Sequence, residues 1–279
     1  MSTPYSYVEG VLREGDVPLA YKLSLPRAPR AALALVHGYG EHSARYAHVI
    51  QHFAARGIAV VTYDQRGHGL SGGVRGHCDR FSEYHRDLAL VLGLARKNFD
   101  AVPLFGFGHS FGGLVVSTYA LEHRQAFHGL VLSSPYFGLA LAVPPAKIWV
   151  GKIASRLLPT LAVPAGLSGK DLTHDADLAR AYDNDPLGNK GATARWFTES
   201  SSAQVSLLAR AGELTLPVYL AHGAEDKVAS PAASRAVFDR LGSKDRRYEG
   251  KAHLFHEILN EPSWAGIADE MADWVLARV

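Results

Sequence analysis

Apolar residues along this chain fall into short, nearly unbroken runs separated by longer stretches in which they recur every three or four positions. The runs are Ala31–His37, Ile58–Asp64, Val102–His109 and His128–Ser134. Continuous apolarity over so short a length marks strands covered on both faces. Between them, Ala44–Arg56, Phe81–Asn98 and Phe111–His123 carry helical periodicity. That alternation predicts βαβ units around a mostly parallel central sheet with helices on both faces. Ahead of it, Tyr7–Leu12 and Pro18–Leu25 read as two strands joined through Glu14-Gly15-Asp16, an N-terminal hairpin.

Past Ser134 the rhythm stops. Pro144, Pro145, Pro159, Pro164, Gly151, Gly166 and Gly169 interrupt the chain, a polar stretch runs to Ser206, and no convincing strand occurs. We read 135–207 as an inserted helical cap, with 1–134 and 208–279 forming the core. The pattern resumes with a strand at Leu216–His222, a helix at Pro231–Leu241, a strand at Arg246–Glu249 and a closing helix at Pro262–Arg278. Inside the insertion, Ala146, Trp149, Val150, Ile153, Ala154, Leu157 and Leu158 share one helical face, opposite Lys147, Lys152, Ser155 and Arg156. Such a stripe packs over the core. Alternatively, with Leu139–Val143, it lines an acyl pocket or meets a lipid surface, with Trp149, Ile153 and Leu157 as substrate contacts.

Composition narrows the classes. With 279 residues, 47% of them apolar, the chain can bury a large core without disulfide or metal, and its single cysteine, Cys78, cannot form an internal bridge. The 29 basic and 27 acidic residues are spread without a run, which argues against a nucleic-acid surface. Met1–Leu12 lacks the basic start and apolar run of a secretory signal, and nothing approaches the roughly 18–20 apolar residues of a membrane span. A cytoplasmic location is the expectation.

Chemistry concentrates at Gly108-His109-Ser110-Phe111-Gly112, a G-x-S-x-G motif between a predicted strand and a predicted helix. In that context the turn must be sharp enough to expose the serine hydroxyl, and residues two before and two after must be small. A dinucleotide loop fails on spacing, because the third glycine would fall at Phe111. An acyl-transfer serine needs N–H donors for its oxyanion: Phe111 supplies one, and Tyr39 in His37-Gly38-Tyr39-Gly40 supplies the second. The serine also needs a histidine oriented by a carboxylate, in the chain order serine, acid, histidine. Asp226, in Gly223-Ala224-Glu225-Asp226 after a strand, is chosen over Glu225 as the acid. For the base, His253 is preferred because it lies three residues past Gly250, read as the end of the last strand; His256 is the alternative. The pair His253 and His256 lacks a zinc-binding helix signature, so no metal and no cofactor is expected.

These motifs resemble the monoglyceride lipase and lysophospholipase group of the α/β-hydrolase superfamily. The resemblance covers nearly the whole chain and rests on His37-Gly38-Tyr39-Gly40-Glu41-His42-Ser43 with Arg45-Tyr46, Asp64-Gln-Arg-Gly-His-Gly-Leu-Ser71, the serine motif, and Asp185-Pro186-Leu187 in the cap. It implies the α/β-hydrolase fold, a Ser110, Asp226 and histidine triad, and hydrolysis of a small lipid ester, most simply a monoacylglycerol. It is divided over the histidine: one pattern matches His253, while other members carry the base directly before Glu-Ile-Leu-Asn-Glu, which is His256 here. Lysophospholipase, broad carboxylesterase, thioesterase or peptidase activity are the enzymatic alternatives, and a noncatalytic binding protein is the remote one. The expected partners are the lipid ester and, through the cap, a transiently touched membrane or micelle surface.

Overall fold

In the computed structural model, which describes residues 5–13, 15–141 and 144–279, the hairpin opens the chain as β1 (Tyr5–Leu12) and β2 (Leu19–Pro26). Glu14 of the expected turn, Ala142 and Val143 of the apolar stretch, and the side chain of Lys147 lie outside the described residues. β3 (Ala31–Val36), α1 (Ala47–Ala55), β4 (Ile58–Tyr63), α2 (Ser82–Phe99), β5 (Leu104–His109), α3 (Phe111–Glu122) and β6 (Leu130–Ser133) follow. Between β6 and β9 come α4 (Pro145–Leu157), β7 (Ala162–Pro164), α5 (Ala176–Asp183), β8 (Gly191–Thr193) and α6 (Ala194–Arg210), the last running past the expected boundary at 207. β9 (Val218–Gly223), α7 (Pro231–Arg240), β10 (Arg246–Lys251) and α8 (Trp264–Leu276) complete the chain.

Eight strands form one sheet in the order β1-β2-β4-β3-β5-β6-β9-β10. β2 is antiparallel to both its neighbours, and the rest of the sheet is parallel. Period-two alternation splits the core. In β3, Ala32, Ala34 and Val36 pack with residues of α2, α3 and α6, while Leu33 and Leu35 pack on the other face with residues of α1 and α8. Helix α3 is buried from Phe111 to Leu121, so it shows no amphipathic pattern, and it packs against the sheet through Gly108, Gly112 and Gly113.

Two features depart from the expectations. β7 and β8 pair antiparallel inside the insertion, where no strand was foreseen; segments this short carry no readable periodicity. The apolar stripe of α4 also does not pack over the core. Ser155, from the polar face, is the side chain turned inward, and its hydroxyl meets Thr198 Oγ1 of α6 at 2.8 Å. Arg195 of α6 donates to the Ser155 carbonyl. Trp149, Val150, Ile153, Leu157 and Leu158 are left exposed, Leu157 at 73%. α4 thus meets α6 through Ser155, and its bulky apolar residues are left outside.

Candidate active site

β5 ends at His109, and the chain turns at once into α3, leaving Ser110 at φ +50°, ψ −118°. A residue with a Cβ is strained there. The turn closes only because its flanks are glycine: a Cβ on Gly108 would lie 2.6 Å from the Gly112 backbone, and one on Gly112 would lie 2.1 Å from the Val36 carbonyl oxygen. Ser110 donates its N–H to Ser133 O at 3.0 Å, and its carbonyl accepts from Gly113 and Tyr136. Phe111 opens α3, so its N–H has no intrahelical acceptor and points, with the positive helix end, toward the serine's surroundings.

The loop after β3 runs alongside. A Cβ on Gly38 would fall 3.1 Å from Ser110 Cβ and 3.2 Å from His109 Cδ2, so the main chain of 37–39 borders the nucleophile position. His37 Nδ1–H donates to Gly38 O at 2.7 Å while its Nε2 accepts from Gln65 N–H at 2.9 Å, which fixes the tautomer. Burial, outweighing the attraction of Asp64, pushes His37 down to about 4. Glu41, also buried, accepts the Gly38 N–H and the Tyr46 hydroxyl. The Tyr39 side chain leaves in the other direction. Its hydroxyl donates to Gly191 O of β8 at 2.7 Å, and its ring lies 3.8 Å from the Trp196 ring.

Asp226 follows β9, as expected. Its carboxylate accepts from His256 Nδ1 at 2.7 Å, His222 Nε2 at 2.9 Å, Val228 N at 2.7 Å and Ala229 N at 3.0 Å. Burial alone would raise its pKa. The charge of His256 and the hydrogen bonds from His222 and His256 outweigh burial and hold it well below the usual carboxylate range. His256 is likewise opposed by burial, yet Asp226, with Glu257 and Glu41 farther away, raises its pKa above the ordinary imidazole value. Its ring lies 4.9 Å from that of His109, the residue before Ser110.

This geometry brings His256, and not the preferred His253, to Asp226. His253 sits at φ +60° with its side chain 89% exposed, paired at 3.0 Å with Glu225 rather than Asp226. The reason is the length of β10. Gly250 does not end the strand; it pairs with His222 inside it, and β10 runs to Lys251. His253 therefore lands on the outward turn, and three more residues are needed to bring an imidazole back beneath Asp226. Trp149, Ile153 and Leu157 are exposed on α4, and none is buried against the serine.

Several carboxylates that sequence reasoning gave no role turn out to brace the site. Arg45 donates to Glu257 at 2.8 Å, lies 3.8 Å from Glu41, and has its guanidinium 4.9 Å over the Tyr182 ring of α5. The loop beside the serine and the loop bearing His256 are thus joined through one cation. Glu261, fully buried, accepts from Phe255 N and from both His174 N and His174 Nδ1. His42 pairs with Asp185 at 2.8 Å and Gly40 O accepts from Asn189 N–H, so the insertion grips the loop after β3 as well. Gly-Glu-His-Ser, Arg-Tyr and Asp-Pro-Leu were the visible signals for these braces.

A buried sheet with a strained serine between a strand and a helix, and an Asp–His pair on later loops, defines an α/β-hydrolase fold. The chain matches the family described as serine aminopeptidase, S33, over residues 27–263, and it belongs to that family. It is a serine hydrolase of the lipase and esterase type, as its motifs implied. The monoacylglycerol lipase of Mycolicibacterium smegmatis is 32% identical over 267 residues, 95% of each chain. Phospholipase YtpA of Bacillus subtilis is 31% identical over 236 residues, 84% of this chain and 90% of that one. The crystal structure of Paleococcus ferrophilus monoacylglycerol lipase superposes with a TM-score of 0.85 at 28% identity, covering 95% of this chain and all of that one. No helix among the described residues is long and apolar enough to cross a membrane.

Proposed function

We propose that this protein hydrolyses monoacylglycerols through an acyl-enzyme on Ser110, with residues 135–207 as its cap. The observation that carries the reading is the 2.7 Å His256–Asp226 contact at the same end of the sheet as the strained Ser110. Asp226 holds the His256 Nδ1–H, so Nε2 is the basic nitrogen. It takes the Ser110 proton as Oγ attacks the ester carbonyl carbon, and the N–H groups of Phe111 and Tyr39 receive the oxyanion. Collapse breaks the C–O bond, the departing glycerol takes the proton from His256, and water deacylates Ser110 by the same steps in reverse order.

The exposed apolar side chains of α4, bordered by exposed Lys152 and Arg156, suit contact with the lipid surface from which such a substrate is drawn. The relatives named monoacylglycerol lipase support the substrate class; the phospholipase relative favours a second reading, in which a lysophospholipid is the ester cleaved. Turnover of monoacylglycerols, lysophospholipids and p-nitrophenyl esters of graded length decides between them. Fluorophosphonate labelling of the wild type, lost in Ser110→Ala, tests the nucleophile. Retained turnover in that variant would overturn the mechanism.

A further inference from the structure

Asp226 holds not one imidazole but two, and the second has no part in the chemistry above. Both bond to the same oxygen, Oδ2: His256 at 2.7 Å and His222 at 2.9 Å. Oδ1 is taken up by the N–H groups of Val228 and Ala229. His222 is fully buried at the penultimate position of β9. Its Nε2 faces two acceptors, Asp226 Oδ2 and Ala229 O at 3.3 Å, so that nitrogen carries the hydrogen. Its Nδ1 is buried without a hydrogen-bond partner among the described residues. Leaving a buried ring nitrogen unpaired costs stability that an apolar residue would not lose. A side chain retained for packing alone would not need that nitrogen.

We propose that His222 is a positioning residue that fixes Asp226 Oδ2 and limits how strongly this oxygen supports the imidazolium of His256. The inference rests on the catalytic reading of Ser110, His256 and Asp226. Each hydrogen bond to a carboxylate stabilises its negative charge and reduces what remains to stabilise a neighbouring cation. With two imidazoles sharing Oδ2, His256 stays easier to deprotonate than a lone Asp–His pair would leave it, which keeps more of the base ready to accept a proton. The other groups around His256 are His109 from the end of β5, Glu257 beside it, and Glu41 and Arg45 from the loop and turn after β3. None of these bonds to Asp226; the Val228 and Ala229 N–H groups share its other oxygen, and on Oδ2 the hydrogen bond that competes with His256 is that of His222.

The test compares wild type, His222→Leu and His222→Gln by NMR titration of His256 and by the pH profile of kcat/KM on a p-nitrophenyl ester. His222→Leu moves the His256 midpoint and the acid limb upward by about half a pH unit, roughly a threefold loss of kcat/KM on that limb relative to the plateau. His222→Gln, which keeps an N–H donor, returns both toward wild type. An unmoved or lowered midpoint with uniformly reduced kcat would overturn the proposal and leave His222 a packing residue. Should His222→Leu not fold, ¹⁵N shifts of the wild type decide: an Nε2–H tautomer at His222 supports the proposal, and an Nδ1–H tautomer overturns it. If wild type hydrolyses no ester and takes no fluorophosphonate, the catalytic reading fails, while the titration still judges the His222–Asp226–His256 coupling.

Discussion

The serine turn and the histidine loop serve the same proposed reaction but are built in opposite ways. Residues 108–113 are held by what lies within five positions of Ser110 and by strands already packed in the core: Gly108 against Gly112, Gly112 against Val36, Ser110 against Ser133. Residues 252–261 have local bonds of their own, from Phe255 N–H to Glu261, Ile258 N–H to His256 O and Asn260 N–H to Glu257 O, but their other ties reach far along the chain. They are held by Asp226, by Arg45 through Glu257, and by the insertion through Leu172, Thr173 and His174. A nucleophile locked into the sheet and a base hung between core and insertion suggest that movement of the insertion would disturb the base first.

The largest expected effect separates the two histidines of the loop. His256→Ala lowers kcat about 10⁴-fold or more, the scale set by removing the base of a serine triad. His253→Ala, an exposed surface change, leaves kcat within about twofold. Ester kinetics on both variants decide it, and a dead His253→Ala with an active His256→Ala would reverse the assignment.

Next comes a contrast between glycines. Gly112→Ala places its Cβ 2.1 Å from a backbone oxygen, which no side-chain rotation relieves, so a loss of about 3 kcal/mol or more is expected, seen as a lowered melting temperature or insoluble protein. Gly250→Ala in β10 meets nothing closer than Tyr248 Cε1 at 3.8 Å and is expected to cost less than about 1 kcal/mol. Equal melting temperatures for the two would remove the distinction between a turn that requires glycine and a strand that tolerates it.

The same contrast explains what could be read from the chain alone. The places of Ser110, Asp226, Tyr39 and Phe111 in the fold were legible because each sits at a set offset from the end of a core strand whose apolar run is unmistakable. Which histidine meets Asp226 was not, because Gly250 reads as a strand end while its pairing with His222 continues the strand. The braces escaped for a different reason: Arg45 and Glu257 are 212 positions apart, and Glu261 and His174 are 87 apart, distances over which no local pattern operates. The stripe of α4 was legible as a stripe but not as an outward one. Periodicity states that a helix has two faces, and only the packing of Ser155 against Thr198 decides which is covered.

Glu261 offers a smaller and more diagnostic effect. Glu261→Ala leaves the partly buried N–H groups of Phe255 and His174 without their acceptor, at a cost of about 1 kcal/mol. Because Phe255 precedes the proposed base, a shift of an ångström there should lower kcat by up to about 10²-fold while KM changes little. Glu261→Gln, retaining an acceptor oxygen, should recover part of both. A stability loss with unchanged kcat would show that the loop keeps its place without this carboxylate.

Acidity gives the finest comparison, since the two regions respond to it with opposite signs. His37, held by burial at about 4, lies below its unfolded value of about 6.5, and burial pushes His109 down as well. Between pH 6.5 and 4 the unfolded chain takes up protons that the folded serine side refuses, so stability falls as pH falls, by at most about 1.4 kcal/mol per pH unit for each such histidine. His256 runs the other way. Its raised folded pKa adds stability that is fully present below about 6.5 and is lost as pH rises through the folded value. Melting temperatures from pH 4.5 to 8.5 should therefore fall on the acid side in both wild type and His256→Gln. A decline on the alkaline side should be weaker in the variant. If that variant instead flattens the acid side, the proton refused on folding belongs to the histidine loop and not to the serine turn, and the division between the two regions fails.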